Sequence, residues 1–449
     1  MYFCTFVVRF KNDSKMSPVK KVGFYTLGCK LNFSETSTIA RAFEQGGFVR
    51  AVRGERADIY VINSCSVTEH ADKKCRNIVR RLIKENPGAI VVVTGCYAQL
   101  KPQELAAIEG VDLVVGNNDK GTIFERVAAL GAKRGATVHT CEAGELTGFF
   151  AAFSSGDRTR SFLKVQDGCD YHCSYCTIPL ARGASRNLPV ADLVREAEAI
   201  AAKGQREIVL TGINVGDFGR TTGESFVDLL RALDAVGGID RYRISSIEPN
   251  LLTDEVIAFT AGSDKFQPHF HVPLQSGCDR ILALMRRRYN TARFAERIGA
   301  VRTQIPGVFF GIDVIVGFPG ETDEDFEVTC RFLEEIRPAF LHVFPYSVRP
   351  NTPAAEMNGK VAPGVAAHRV QRLGELSSRL YRGFCAVQQG REAKVLWEST
   401  RRGGDMFGFT ENYIKVRTPF DRERINTITR VRLGALDADG VAQATILCE

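Results

Sequence analysis

Cys169, Cys173 and Cys176 place three thiols within eight residues, in the run Cys169-Asp170-Tyr171-His172-Cys173-Ser174-Tyr175-Cys176. Soft thiolates at this close, unequal spacing suit an iron-sulfur cluster or zinc. A structural zinc site or a simple electron-transfer cluster takes four ligands, and this loop offers three cysteines. A missing fourth ligand leaves an open iron, and an open iron implies chemistry. The competing reading is a zinc loop completed elsewhere, with His172 the nearest candidate.

A second trio is dispersed. Cys29, Cys65 and Cys96 are separated by 35 and 30 intervening residues, and each follows a segment that reads as a strand. Lys20–Thr26, Asp58–Asn63, Ala89–Thr94 and Val111–Val115 are expected as strands. Helical periodicity is expected over Ser34–Glu44, Glu69–Lys84, Pro102–Ile108 and Asp119–Ala129. Alternation of this kind argues for a parallel sheet covered on both faces. Parallel strands bring their C-terminal ends to one edge, where ligand sites form, so these three cysteines can converge. Gly28 and Gly95 each precede their cysteine and let the backbone approach a bulky ligand. Taken singly, a free cysteine is more often a small buried hydrophobe.

Residues 142–160 have little periodicity and mark a boundary. A second α/β series follows, with strands expected at Phe162–Gln166, Glu207–Thr211, Arg241–Ser245, Pro268–Val272, Phe309–Ile315 and Phe340–Phe344. Ala191–Ala202, Phe226–Val236, Asp279–Arg288 and Asp323–Glu335 read as intervening helices. Six βα units suggest a barrel or partial barrel, and the CxxxCxxC loop follows its first strand, at the end where catalysis occurs in such folds. A long helix, Ala366–Gln388, closes the series. Five short strands after Gly390 suggest a small β-barrel. From Arg391 onward there are ten Lys/Arg against nine Asp/Glu, so charge alone gives this barrel no nucleic-acid role.

The 449 residues carry 13 cysteines and a formal net charge of +7. The odd cysteine count and the size exclude a disulfide scaffold. The N-terminal apolar run lacks a basic leader and a small-residue cleavage site, and no apolar stretch is long enough to span a membrane. These features predict a cytoplasmic chain, with Met1 or Met16 as its start. The net charge is compatible with a nucleic-acid partner.

The loop and the barrel pattern behind it resemble the radical S-adenosylmethionine superfamily. Thr26-Leu27-Gly28-Cys29-Lys30-Leu31-Asn32, Asn63-Ser64-Cys65-Ser66-Val67-Thr68 and Val93-Thr94-Gly95-Cys96-Tyr97-Ala98-Gln99 are similar to the N-terminal motifs of its methylthiotransferases. The resemblance covers nearly all of residues 19–449. It implies an α/β chain in three parts after an extension at 1–18: an iron-sulfur domain over 19–145, a partial (β/α)6 radical core over 155–385, and a C-terminal RNA-binding TRAM barrel over 386–449. It also implies two 4Fe-4S clusters, one on Cys169, Cys173 and Cys176 and an auxiliary one on Cys29, Cys65 and Cys96. S-adenosylmethionine is the implied cofactor, with Asn214, Glu248 and Gln275 as contacts; beyond the cluster ligands no catalytic residue is assigned.

The implied partners are tRNA, an external electron donor and a sulfur source. The implied reaction methylates a sulfur at the auxiliary cluster, then uses a 5′-deoxyadenosyl radical to install the methylthio group at carbon 2 of an adenine. That carbon has no acidic hydrogen and no leaving group, so acid–base chemistry fails there. Leu27-Gly28-Cys29-Lys30-Leu31-Asn32 with Ser245-Ser246-Ile247-Glu248-Pro249 looks most like the type acting on threonylcarbamoyladenosine at tRNA position 37. Family members acting on isopentenyladenosine in tRNA or on a ribosomal-protein aspartate are the alternatives. A zinc-binding RNA-binding protein is the alternative from another class.

One departure from the family pattern is Asn351, where glycine is usual; asparagine tolerates left-handed backbone, so the turn is expected to survive. Two basic clusters, Lys73/Lys74/Arg76/Arg80/Arg81 and Arg286/Arg287/Arg288, are candidates for phosphate contact or plain solvated faces. Cys4, Cys75, Cys141, Cys278, Cys330, Cys385 and Cys448 are expected to be packing residues.

Overall fold

A computed structural model describes residues 20–447 except 53 and 131–134. The alternative start at Met16, Cys4 and Cys448 lie outside the described residues.

The first unit is a six-stranded sheet of β1 (Lys21–Thr26), β2 (Val49–Arg50), β3 (Ile59–Ser64), β4 (Ile90–Gly95), β5 (Leu113–Val115) and β6 (Thr137–His139). Its order is β2-β1-β3-β4-β5-β6, and every pairing is parallel. β3 is buried along its whole length, as a central strand covered on both faces must be. Two core clusters, one around Val61 and Phe43 and one around Ile62 and Val79, lie on opposite faces. The edge strands β2 and β6 were not expected; at two and three residues they carry no readable alternation.

Helix α1 (Lys30–Gln45) starts four residues before the expected Ser34. Its first turn, Lys30-Leu31-Asn32-Phe33, lacks the apolar stripe but is held by the Cys29 carbonyl accepting from Phe33 N at 3.2 Å. Helix α2 (Glu69–Glu85) begins where Thr68 caps it through Ala71 N, with Glu69 and Asp72 favourable in the first turn. Helix α3 (Cys96–Leu100) follows β4 directly.

The second unit holds β7 (Arg160–Lys164), β8 (Glu207–Thr211), β9 (Arg241–Ile244), β10 (His269–Gln275), β11 (Phe309–Val316) and β12 (Phe340–Pro345). All six expected strands are present. They form two parallel three-stranded sheets, β7-β8-β9 and β10-β11-β12. Parallel bridges Tyr242–Phe266 and Ser246–His271 join the two into one arc, a partial barrel. Leu163, Leu210, Ile244, Val272 and Ile312 belong to one continuous buried core. Helices Asp254–Gly262 and Thr291–Gln304 fill connections of the βα series whose bounds the sequence pattern leaves open. The long helix Pro363–Gln388 packs on β12 and leads into the last unit.

That unit is a closed barrel of β13 (Glu392–Arg402), β14 (Asp405–Thr410), β15 (Lys415–Pro419), β16 (Ile428–Leu436) and β17 (Ala442–Ile446), in the order β13-β14-β15-β17-β16. Closure leaves no sheet edge exposed. Trp397, Met406, Val416 and Val431 fill it. Asn351 has φ +63°, so the turn keeps the left-handed geometry that asparagine tolerates. No helix among the described residues is long and apolar enough to cross a membrane.

Candidate active site

Cys29, Cys65 and Cys96 each follow the C-terminal end of a neighbouring strand: β1, β3 and β4. They are brought together: Cys96 and Cys29 both lie close enough to act electrostatically on Cys65, whose thiol burial pushes up to about 12. Gly28 has φ +98°, and a Cβ there would lie 2.7 Å from Cys65 Cβ and 2.9 Å from its sulfur. Only glycine lets this loop close over Cys65.

The loop after β7 carries the other trio. Cys169 and Cys176 thiols are pushed up to about 12, by burial first and by neighbouring cysteines after it. Two backbone amides donate to these sulfurs, Tyr171 N to Cys169 and Ile178 N to Cys176, both at 3.4 Å. A buried thiol resists losing its proton, and a bound metal takes the proton's place. Gly168 precedes Cys169 with φ +71°, and a Cβ on it would meet the Ala184 carbonyl oxygen at 1.9 Å. Gly168-Cys169 repeats the Gly-Cys pairs at 28–29 and 95–96, which is the signal in the sequence that marks it. His172 is exposed on the loop.

Arg287 overturns its reading as a phosphate contact or solvated charge. Its side chain is 3% exposed. Nη1 donates to Cys173 Sγ at 3.0 Å, and Nη2 is paired with Glu248. The physical reason is the turn after Asp279–Leu284: Arg286 adopts φ +57° there, and the Arg287 side chain is carried inward onto the loop. Arg286 and Arg288 stay exposed, with Arg288 stacked over Tyr171 at 4.0 Å.

Glu248 and Asn214 are adjacent: Asn214 Oδ1 accepts from Glu248 N at 3.3 Å, while Asn214 Nδ2 is buried with no partner. An orphaned amide donor at this edge fits a ligand acceptor. Burial raises the Glu248 carboxyl against the opposing pull of Arg287. Gln275 has φ +70° and lines a cavity of about 280 Å³ with Tyr175, Cys176, Asp313 and Tyr346. So the three expected cofactor contacts stand around the CxxxCxxC loop on three different strand ends.

The two cysteine sites are tied by a buried charge network. Glu35 on α1 is paired with Lys120, with Lys164 at 3.0 Å and with Arg182 at 3.1 Å. Arg182 also reaches Asp167 at 2.9 Å and Asn32 Oδ1 at 2.7 Å. Lys164 and Arg186 reach the other oxygen of Asp167 at 2.6 and 3.4 Å. Four cations therefore surround two carboxylates. Cys96 and Cys29 are among the groups acting on Arg182, and Cys96 acts on Lys120. The positive surplus lies beneath the first cysteine trio, where an anionic thiolate-bound cluster would balance it. These residues are too far apart in sequence for any local signal to group them.

Of the first basic cluster, Lys73, Lys74, Arg80 and Arg81 are exposed along α2, whereas Arg76 turns to Tyr97 and Glu104. Cys75, Cys278, Cys330 and Cys385 are buried, as packing residues should be, whereas Cys141 is half-buried and lines a cavity with Gln99 and Glu142. His271, Asp313 and His342, on adjacent strands β10, β11 and β12, bring their donor atoms within 4.8 Å of one another. His271 and Asp313 are hydrogen-bonded at 2.7 Å.

Comparisons with known proteins agree with this layout. Residues 21–116 match the family described as "Uncharacterized protein family UPF0004", and residues 163–333 match the radical SAM superfamily. The chain is 39% identical over 426 residues to the threonylcarbamoyladenosine tRNA methylthiotransferase MtaB of Bacillus subtilis, covering 92% of this chain and 93% of that protein. The MtaB of Aquifex aeolicus is 37% identical, covering 88% and 96%. A tRNA-2-methylthio-N(6)-dimethylallyladenosine synthase of Thermobifida fusca is 36% identical, covering 85% and 78%. Among solved structures, the radical S-adenosylmethionine methyltransferase TsrM of Kitasatospora setae superposes with TM-score 0.58 at 15% identity, covering 75% of each chain, which shows a shared fold. The radical superfamily match carries S-adenosylmethionine and a 4Fe-4S cluster with it. With relatives this similar along nearly its whole length, two trios of cysteines at converging strand ends and a radical core between them, the chain belongs to the radical S-adenosylmethionine methylthiotransferases.

Proposed function

We propose that this protein is a tRNA methylthiotransferase that converts threonylcarbamoyladenosine at position 37 to its 2-methylthio derivative. The observation that carries this is the similarity to MtaB proteins at 35–39% identity over most of both chains. Cys169, Cys173 and Cys176 hold the radical cluster, leaving one iron for S-adenosylmethionine. When bound, that cluster and cofactor supply the 5′-deoxyadenosyl radical. Glu248, Asn214 and Gln275 orient the cofactor, and Arg287 holds both Glu248 and the Cys173 sulfur in place. Cys29, Cys65 and Cys96 hold the auxiliary cluster, with the Arg182 network balancing its charge. The exposed face of α2 and the C-terminal barrel contact the tRNA backbone. The three units 19–145, 155–385 and 386–449 serve cluster binding, radical generation and RNA binding.

Mass spectrometry of tRNA nucleosides from a strain lacking this protein tests the substrate. Loss of 2-methylthio-threonylcarbamoyladenosine alone is the expected result. Loss of the isopentenyl counterpart moves the assignment to the dimethylallyladenosine branch, and an unchanged profile moves it to the ribosomal protein. Anaerobic iron counting tests the cofactors: about eight irons are expected for two clusters, against tightly held zinc for a structural RNA-binding protein.

A further inference from the structure

Cys29 borders a cavity of about 270 Å³ whose wall includes Lys30, Arg158, Arg160, Arg243 and Tyr413. Arg243 is held from behind, with Nε 2.8 Å from Glu207 Oε1 and its other nitrogens on the carbonyls of Thr410 and Glu411. Arg160 reaches Glu398 at 3.0 Å and donates to Tyr413 Oη at 3.0 Å, which leaves the Tyr413 hydroxyl proton free to donate. Arg241 draws on the same Glu207 at 3.7 Å. Among the described residues the Lys30 ammonium has no hydrogen-bond or ion-pair partner, and Arg158, exposed and lying over the Phe33 ring at 4.7 Å, makes no ion pair. Four cations thus face the cavity against two carboxylates. An unpaired ammonium in such a space is costly unless an anion joins it. His269 also lines the wall, and His271, two residues on along β10, is bonded to Asp313 of the cavity beside Cys176.

We infer that this cavity is a carboxylate subsite: the acid on the substrate's N6 side chain enters beside Cys29 and is bound by Lys30 and Arg158, with Arg160 and Tyr413 completing it. This rests on the threonylcarbamoyl reading above. Placed there, the side chain anchors the base next to the auxiliary cysteines. An isopentenyl group has no charge to offer, so the same wall rejects it by leaving its cations unpaired.

The test compares a tRNA anticodon stem-loop carrying threonylcarbamoyladenosine with the same stem-loop carrying the methyl ester of that side chain. With loaded wild-type enzyme, kcat/KM for the acid exceeds that for the ester about tenfold or more, the scale of a charge-assisted hydrogen bond. Equilibrium binding of the two free nucleosides gives the same preference without turnover. Lys30→Gln collapses both ratios to about twofold or less, and Lys30→Arg restores them; Arg158→Gln lowers them and is independent of the Cys29 backbone. If the wild-type enzyme methylthiolates acid and ester equally well, the subsite is wrong while the substrate stands. If it acts on neither stem-loop but on the isopentenyl one, the substrate reading fails instead. If Lys30→Gln weakens acid and ester equally and lowers the salt slope of tRNA binding, the cavity takes a backbone phosphate, and the inference is overturned.

Discussion

Arg287 Nη1 lies 3.0 Å from Cys173 Sγ, while the same guanidinium is paired with Glu248. One buried cation therefore couples a cluster-loop sulfur to a carboxylate at the end of β9. Hydrogen bonds to cluster sulfurs and nearby positive charge raise reduction potential. Arg287→Met should lower the midpoint potential of the radical cluster by tens of millivolts and slow 5′-deoxyadenosine formation with dithionite. An EPR-monitored redox titration reads the shift; an unchanged potential would remove Arg287 from this role.

Cysteine substitution separates the two sites. Cys169→Ala should abolish 5′-deoxyadenosine formation and lower iron from about eight to about four per chain. Gly28→Ala should lower iron to the same extent while 5′-deoxyadenosine formation persists, because its Cβ would strike Cys65 2.7 Å away. Retention of eight irons in the glycine variant would show that the loop relaxes around the added methyl.

The charge network that joins α1 to the radical core should not tolerate the loss of one member. Arg182→Met leaves Glu35 and Asp167 short of a buried partner, which costs about 3–5 kcal/mol. Thermal unfolding would show this as a lower Tm. The neighbours hold the Glu35 and Asp167 carboxyls below the usual carboxylate range, although burial alone would raise them. Their depressed folded values mean the stabilisation is fully present above the ordinary carboxylate range and is lost progressively as pH falls from that range through the folded values. The wild-type network therefore survives mild acid.

Glu196 behaves in the opposite sense. Burial raises its carboxyl to about 7, and its Oε2 has no hydrogen-bond partner. The folded chain holds this proton more tightly than the unfolded one. Stability therefore falls as pH rises from the ordinary carboxylate range through about 7. Glu196→Gln should raise stability by about 1–3 kcal/mol at pH 8 and leave it unchanged near pH 4. Denaturant unfolding at both pH values checks the difference; an equal gain at each would point to packing instead.

Residue type and spacing alone mark the two cysteine trios, all six strands of the radical core, the five strands of the C-terminal barrel and the parallel character of the first sheet. These are legible because burial imposes local alternation and because glycine is needed where backbone passes too close for a Cβ, as at Gly28 against Cys65 and Gly95 against Ser64. Short edge strands such as Val49–Arg50 carried no such pattern. Tertiary structure decided the roles of the charges. Arg287 looked like one member of a solvated arginine run until the turn at Arg286 carried it inward. Glu35, Lys120, Lys164 and Arg182 meet across up to 147 residues of sequence. Lys30 stood next to Cys29 in the chain, but only the folded wall shows it unpaired among Arg158, Arg160 and Arg243. Local pattern reports which side chains are buried; it does not report which buried charge lacks a partner, because that depends on contacts between distant elements.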